Sequence, residues 1–223
     1  MTILTGPERP AASGTADSLV VFLHGYGADG NDLIGLAEPL APYLPNTRFL
    51  APNAPDRCPA NPAGYQWFPI PWLDGTPEAV AQAAAERSFG LLDRWLDAVA
   101  GAGVPPSRTV LVGFSQGTMM ALHVGLRRRE PLAGIVGFSG RLLEPGRLAA
   151  EIGAAPPPVL LIHGDADPVV PFESLAEADE ALTAAGVETA THVSRGIGHG
   201  IAPDGLGLAL GFIRERLGMD GAR

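Results

Sequence analysis

Residues 109–122 read TVLVGFSQGTMMAL, and this stretch decides the fold. Its apolar first half, 109–114, predicts a strand that is buried on both faces. A predicted helix, 116–129, follows, and the motif G-x-S-x-G places Ser115 on the sharp turn between the two. The flanking glycines, Gly113 and Gly117, leave room for strand and helix to approach each other. The stretch therefore predicts a nucleophilic serine at the carboxyl edge of a sheet. A near copy around Ser139 lacks the last glycine and is interpreted as an ordinary strand end.

The alternation of apolar runs and helical segments along the chain predicts an α/β fold with a mostly parallel sheet of about seven strands and helices on both faces. The predicted strands are 18–23, 47–51, 109–114, 133–138, 158–163 and 188–193. The clearest predicted helix begins at Thr76-Pro77-Glu78 and runs to about Ala100, and the others are 116–129, 173–185 and 203–217. The length favours a single domain, 1–223. The segment 52–75 has neither period, which indicates a loop that forms part of an active site.

Composition excludes several classes of function. The net charge of −9 disfavours nucleic acid as a partner, and no apolar run is long enough for stable membrane insertion. The chain contains no lysine, which excludes a phosphate-binding loop of the lysine type and a pyridoxal Schiff base. Cys58 is the only cysteine, so no disulfide or thiolate metal site is expected. The N-terminus does not resemble a signal peptide, which predicts a cytoplasmic location.

A serine nucleophile needs a base and an acid, and in this fold class they follow it in the order acid, then histidine. His199 lies in a glycine-rich loop between the last predicted strand and helix, and it is the favoured base ahead of His192. Asp167 precedes a proline, which favours an extended backbone that presents its carboxylate to the histidine loop. Asp165 is the alternative acid. Further metal ligands do not cluster near the two aspartates, so no metal is expected.

The segment His24 to Gly30 contains G-x-G-x-x-G, a pattern that also occurs in dinucleotide-binding proteins. That function requires an acidic residue at the end of the next strand, and residues 49–53 contain none. An H-G-x-G loop at this place instead predicts an oxyanion hole, formed by the amide of Leu23 with that of Gln116. We therefore expect no cofactor.

These motifs, in this order, resemble the phospholipase/carboxylesterase family of α/β-hydrolases, which includes acyl-protein thioesterases. The resemblance implies an α/β-hydrolase fold without a large cap domain, and it assigns Ser115, Asp167 and His199 to a catalytic triad. Trp67 and Phe68 match a Trp-Phe pair of the family and, with Tyr26, are candidate substrate-binding residues. Trp67 and Phe68 could equally be hydrophobic anchors for the loop.

The expected function is a serine carboxylic ester hydrolase, of carboxylesterase or lysophospholipase type, acting on a small-molecule ester through an acyl-enzyme. An acyl-protein thioesterase is the alternative, although Gly64-Tyr65-Gln66 departs from the Arg-Ala of many eukaryotic thioesterases. A non-catalytic ligand-binding module with a hydrolase fold is the alternative of another class. The resemblance also allows a homodimer.

Overall fold

The computed structural model describes residues 4–219. In chain order, its strands are β1 (Glu8–Arg9), β2 (Ser18–Leu23), β3 (Thr47–Leu50), β4 (Asp56–Cys58), β5 (Asn61–Gln66), β6 (Thr109–Phe114), β7 (Gly134–Phe138), β8 (Val159–Gly164) and β9 (Thr189–Ser194). Its α-helices are α1 (Gly30–Ile34), α2 (Ala37–Leu40), α3 (Pro71–Asp74), α4 (Glu78–Ala100), α5 (Gln116–Gly125), α6 (Pro145–Glu151), α7 (Glu173–Ala184) and α8 (Pro203–Arg216).

Seven strands form the central sheet, in the order β1-β3-β2-β6-β7-β8-β9. All neighbours in it are parallel except β1, which pairs antiparallel with β3. The prediction of a mostly parallel sheet is confirmed, and each of the six predicted strands corresponds to an observed one. The seventh, β1, has only two residues, which is too short for a period to be recognised in the sequence.

Helices cover both faces of the sheet, as predicted. On one face, α4, α5 and α7 contribute Leu92, Met120 and Leu182 to a core that also contains alternate residues of β2 such as Val21. The other face packs against α1, α2 and α8. The strands between β2 and β8 in the sheet order are buried on both sides, which explains their continuous apolar sequence.

The segment 52–75 was expected to lack regular structure, and this prediction is wrong. It contains the antiparallel hairpin β4–β5 and the short helix α3. Strand β5 includes Pro62 and is mostly exposed at its start, so it does not show the apolar alternation by which a strand is recognised. An isolated bridge between Tyr65 and Ala28 holds the hairpin to the loop after β2. Tertiary pairing therefore maintains this hairpin.

Residues 4–219 contain no insertion large enough to form a cap domain. None of the helices in this range has the length and hydropathy needed to cross a bilayer.

Candidate active site

Ser115 occupies the predicted turn between β6 and α5. Its backbone has φ 53° and ψ −115°, a left-handed conformation that is unfavourable for a residue with a side chain. The amide of Ser115 donates a hydrogen bond to the carbonyl of Phe138 at the end of β7, 2.9 Å away. A β-carbon at Gly117 would lie 1.8 Å from the carbonyl oxygen of Leu23, and one at Gly113 would lie 2.4 Å from the amide nitrogen of Thr118. Both glycines of the motif are therefore required by the close approach of the backbones.

Asp167 and His199 come together at the same edge of the sheet, after β8 and β9. The Nδ1 atom of His199 lies 2.7 Å from Oδ2 of Asp167. The other carboxylate oxygen accepts hydrogen bonds from the amides of Val169 and Val170, at 2.8 and 2.9 Å. Burial alone would raise the pKa of Asp167, but the hydrogen bonds from His199 and the two amides outweigh it and lower that pKa. The carboxylate is therefore held ionised and in a fixed orientation.

Asp165, the alternative acid, contacts a different group. Its carboxylate accepts a hydrogen bond from the amide of Gly196, 2.5 Å away, in the loop that carries His199. The next residue, Ala166, donates its amide to the carbonyl of Ile197 at 3.0 Å. The structure thus gives the two aspartates separate tasks: Asp165 anchors the histidine loop, and Asp167 contacts the imidazole.

The imidazole of His199 lies close to the serine turn but is not bonded to it. Its ring centroid is 4.9 Å from that of Phe114, the residue before the serine. The structure brings Asp167 to His199 by a hydrogen bond and shows none between His199 and the Ser115 hydroxyl. In unliganded enzymes such bonds are often long and shorten only when substrate binds.

The loop after β2 lies against the serine turn. A β-carbon at Gly25 would lie 3.3 Å from the β-carbon of Ser115. Gly27 has φ +77°, and a β-carbon at Gly30 would lie 2.0 Å from the carbonyl oxygen of Ala51. Close packing therefore accounts for the glycines of G-x-G-x-x-G. Leu23, expected to supply an oxyanion amide, is fully buried at the end of β2, and Gly25, two residues later, is the loop glycine that approaches the serine side chain.

His24 has a structural role that sequence reasoning missed. Its Nε2 accepts a hydrogen bond from the amide of Ala54 at 2.9 Å, so Nδ1 carries the proton and donates it to the carbonyl of Gly25 at 2.8 Å. Burial lowers the pKa of His24, which favours this neutral form. The histidine of the H-G-x-G motif thus ties the loop after β2 to the segment after β3.

Gln116, expected to supply an oxyanion amide, also acts through its side chain. Its Oε1 accepts a hydrogen bond from the amide of Trp67 at 2.9 Å, and its Nε2 donates to the carbonyl of Phe68 at 2.8 Å. The side chain is almost completely buried. Gln116 therefore fixes the segment after β5 against the serine turn, a contact that the sequence did not indicate.

The three candidate substrate-binding residues differ in position. Trp67 is fully buried and donates its indole N–H to the carbonyl of His24 at 3.0 Å. It anchors the segment and does not line a cavity, so direct contact between Trp67 and a substrate is not supported. Phe68 does line one. The hydroxyl of Tyr26 donates a hydrogen bond to Asp74, 3.3 Å away. Burial raises the pKa of Tyr26, and the nearby Cys58 and Asp74 raise it further.

A cavity of about 620 Å³ has Phe68, Phe89 and Met119 among its apolar lining residues, and Met119 is one turn of α5 beyond Ser115. Residues 141–145 and 147 add charged side chains to the lining. Ser115 and the other two triad candidates are not among the lining residues. The cavity can therefore receive an apolar group one helical turn away from the serine.

Two other histidines after Ser115, His123 and His192, have different partners. His123 stacks on Phe89 with ring centroids 3.6 Å apart. His192 is hydrogen-bonded to Asp204 at 2.8 Å on the outer side of the sheet. Ser139 differs from an ordinary strand end, because it has φ 45° and a buried hydroxyl without a hydrogen-bond partner. Within residues 4–219, no cluster of three His, Cys, Asp or Glu side chains could hold a metal ion.

Comparisons with known proteins show the family of this chain. A model of the phospholipase/carboxylesterase family matches residues 9–217. The solved structure of esterase PE8 has 49% sequence identity and a TM-score of 0.91, with 97% of this chain and 100% of that chain covered. Acyl-protein thioesterase 1 of Neurospora crassa is 30% identical, over 89% of this chain and 86% of that protein. Esterase YpfH of Escherichia coli is 27% identical, over 95% of this chain and 86% of that protein.

Proposed function

Because this chain belongs to the phospholipase/carboxylesterase family and is an ester hydrolase, we propose that Ser115, His199 and Asp167 form its catalytic triad. The observation that carries the proposal is the hydrogen bond between His199 and Asp167 at the edge where Ser115 is presented. We propose a carboxylic oxygen ester as the substrate. The single domain, the cytoplasmic location and the homodimer expected from the sequence stay predictions.

The proposed reaction has two steps. The hydroxyl oxygen of Ser115 attacks the ester carbonyl while Nε2 of His199 takes the hydroxyl proton, and Asp167 stabilises the imidazolium that forms. The tetrahedral intermediate collapses when its bond to the alcohol oxygen breaks and His199 returns the proton to that oxygen. Water then attacks the acyl-serine by the same route, which releases the acid and restores Ser115.

The oxyanion of each intermediate needs amide donors close to Ser115. The amide of Gln116 directly follows the serine, in the first turn of α5. Leu23 is the partner expected from the sequence, and the approach of Gly25 to Ser115 makes the amides of Gly25 and Tyr26 the alternative. The cavity beside Phe68 and Met119 is the proposed site for the acyl group.

Labelling with a fluorophosphonate probe and hydrolysis of a short p-nitrophenyl ester test the triad together. We expect Ser115→Ala to stay folded, to escape the label and to lose about four orders of magnitude in kcat/KM. Ser139→Ala is the matched control, since Ser139 also has a positive φ and is buried, and it should keep both label and activity. Unchanged turnover in Ser115→Ala would exclude the triad, and an unlabelled wild type would indicate a binding module.

An acyl-protein thioesterase is the second candidate, because relatives such as the Neurospora crassa protein carry that name. An oxygen ester and a thioester with the same acyl group distinguish the two. A higher kcat/KM for the thioester would replace the oxygen ester in our proposal and leave the triad intact.

A further inference from the structure

Two histidines contact the same carboxylate oxygen in the proposed site. Oδ2 of Asp167 lies 2.7 Å from Nδ1 of His199 and 3.3 Å from Nε2 of His163. His163 is on β8, four residues before the aspartate, and its Nε2 also lies 3.1 Å from the carbonyl oxygen of Val170. The proposed function gives a task to His199 and none to His163.

The neighbours of His163 determine which of its ring nitrogens carries the proton. A carbonyl oxygen only accepts hydrogen bonds, so the contact with Val170 requires a proton on Nε2. Val170 in turn donates its amide to Oδ1 of Asp167 at 2.9 Å, so His163 holds a residue that holds the carboxylate. The same Nε2 lies 3.3 Å from Oδ2 of Asp167, close enough for the partial positive charge of its N–H to act on the carboxylate without a hydrogen bond to it.

Burial gives this contact weight. The side chain of His163 is 1% exposed and that of Asp167 is 0% exposed, and the interaction of a dipole with a charge is stronger where water is excluded. The ring of Phe172 covers His163 edge-on with centroids 6.1 Å apart, and Val193 of β9 is its neighbour in the sheet. Arg141 lines a small cavity together with His163. The charged or titratable groups around His163 are therefore Asp167, His199 beyond it, and Arg141.

We propose that His163 is a positioning residue, whose Nε2–H holds Val170 and through it the carboxylate of Asp167, and whose N–H dipole offsets part of the negative charge on Oδ2. The inference rests on the proposed function. Full burial keeps His163 away from the substrate, so it acts only through Asp167. Because His163 offsets part of this charge, Asp167 stabilises the imidazolium form of His199 less strongly. Asp167 can then orient His199 while enough neutral imidazole remains near neutral pH to act as the base.

Replacing His163 tests this through the pH dependence of kcat/KM, measured from about pH 5 to about pH 9. His163→Leu removes the donor. Asp167 then holds the imidazolium more strongly, and we expect the acid limb to move about half a pH unit higher. His163→Gln, whose amide N–H can reach the place of Nε2, should restore the wild-type limb. His163→Asn is polar but too short to reach it, so it should behave as the leucine variant does.

A purely structural role would give a different result. Leu161→Ala is the matched control, because Leu161 is buried on the same face of β8, packs in the hydrophobic core and has no polar side-chain group. It should lower the Tm and leave the acid limb in place. If the leucine and asparagine variants also lower the Tm without moving the limb, His163 is only a packing residue and the inference fails.

The wild type separates this failure from that of the proposed function. A wild type that neither hydrolyses esters nor takes the fluorophosphonate label at Ser115 overturns the triad. An active, labelled wild type whose His163 variants keep its acid limb overturns only the role of His163.

Discussion

Single residues in this site carry more than one task. Gln116 was expected only for its backbone amide, yet its side chain also makes hydrogen bonds to the backbones of Trp67 and Phe68. Trp67 in turn is held by the carbonyl of His24. The buried side chain of Gln116 thus links the serine turn to residues 67 and 68, and the indole of Trp67 links these residues to the loop after β2. Each bond satisfies a backbone N–H or C=O group.

Removing this side chain should therefore destabilise the protein without removing the oxyanion amide. We expect Gln116→Ala to lower the free energy of unfolding by about 1–3 kcal/mol, since the amide of Trp67 and the carbonyl of Phe68 lose their partners. Urea unfolding measures this loss of stability. In the same variant, kcat/KM should fall while Ser115 still takes the fluorophosphonate label. Gln82→Ala, an exposed amide on α4, is the control. Equal stability in the two variants would contradict the linking role.

At the scale of elements, strands and long helices were predictable and their ends were not. The helix after Ser115 was expected to run to residue 129, but α5 ends at Gly125. Arg128, three residues beyond that end, is buried and pairs with Asp93 and Asp97 of α4 at 2.5 and 2.6 Å. A contact between helices decided this end, and no local pattern in the sequence reports it.

The junction of β6 and α5 depends on glycine at position 117. A β-carbon there would meet the backbone of Leu23, which cannot move without shifting β2. We expect Gly117→Ala to cost more than about 3 kcal/mol, or to abolish the soluble folded protein. Gly211→Ala on α8 is the control, because a β-carbon there meets open space, and it should gain about 0.5–1 kcal/mol. Thermal unfolding compares the two, and a Gly117→Ala protein as stable as the wild type would contradict the packing.

For the whole molecule, buried histidines link stability to pH. Burial lowers the pKa of His24, and burial with the nearby charge of Arg127 lowers that of His123 to about 4. In the unfolded chain both histidines have the ordinary pKa of about 6.5. The unfolded state therefore binds protons first as the pH falls. Their contribution to stability is complete above this pH and is lost progressively towards the folded values.

We expect the free energy of unfolding to fall between about pH 6.5 and about pH 4.5, with a slope of about one proton from His123 and a further contribution from His24. Urea unfolding at a series of pH values measures this slope. His123→Leu should remove about one proton from it. Met119→Leu, on the same cavity wall, should keep the full slope. A slope in His123→Leu equal to that of the wild type would show that His123 is not the source.

The sequence by itself determined the fold class, the order of the strands along the chain and the place of Ser115. These features depend on local patterns: a buried strand is apolar throughout, and a serine turn at a crowded junction needs glycines two residues away on either side. Such patterns are complete within a few residues, so they can be read without knowledge of the fold.

Only the tertiary structure decided how distant segments meet. It determined that Asp167 rather than Asp165 contacts His199, that Trp67 is an anchor, and that His163 shares the carboxylate. Asp165 and Asp167 differ by only two positions, and the choice between them depends on how β8 and β9 lie beside each other. Distances across a sheet arise from packing of the whole chain, and no short stretch of sequence contains them.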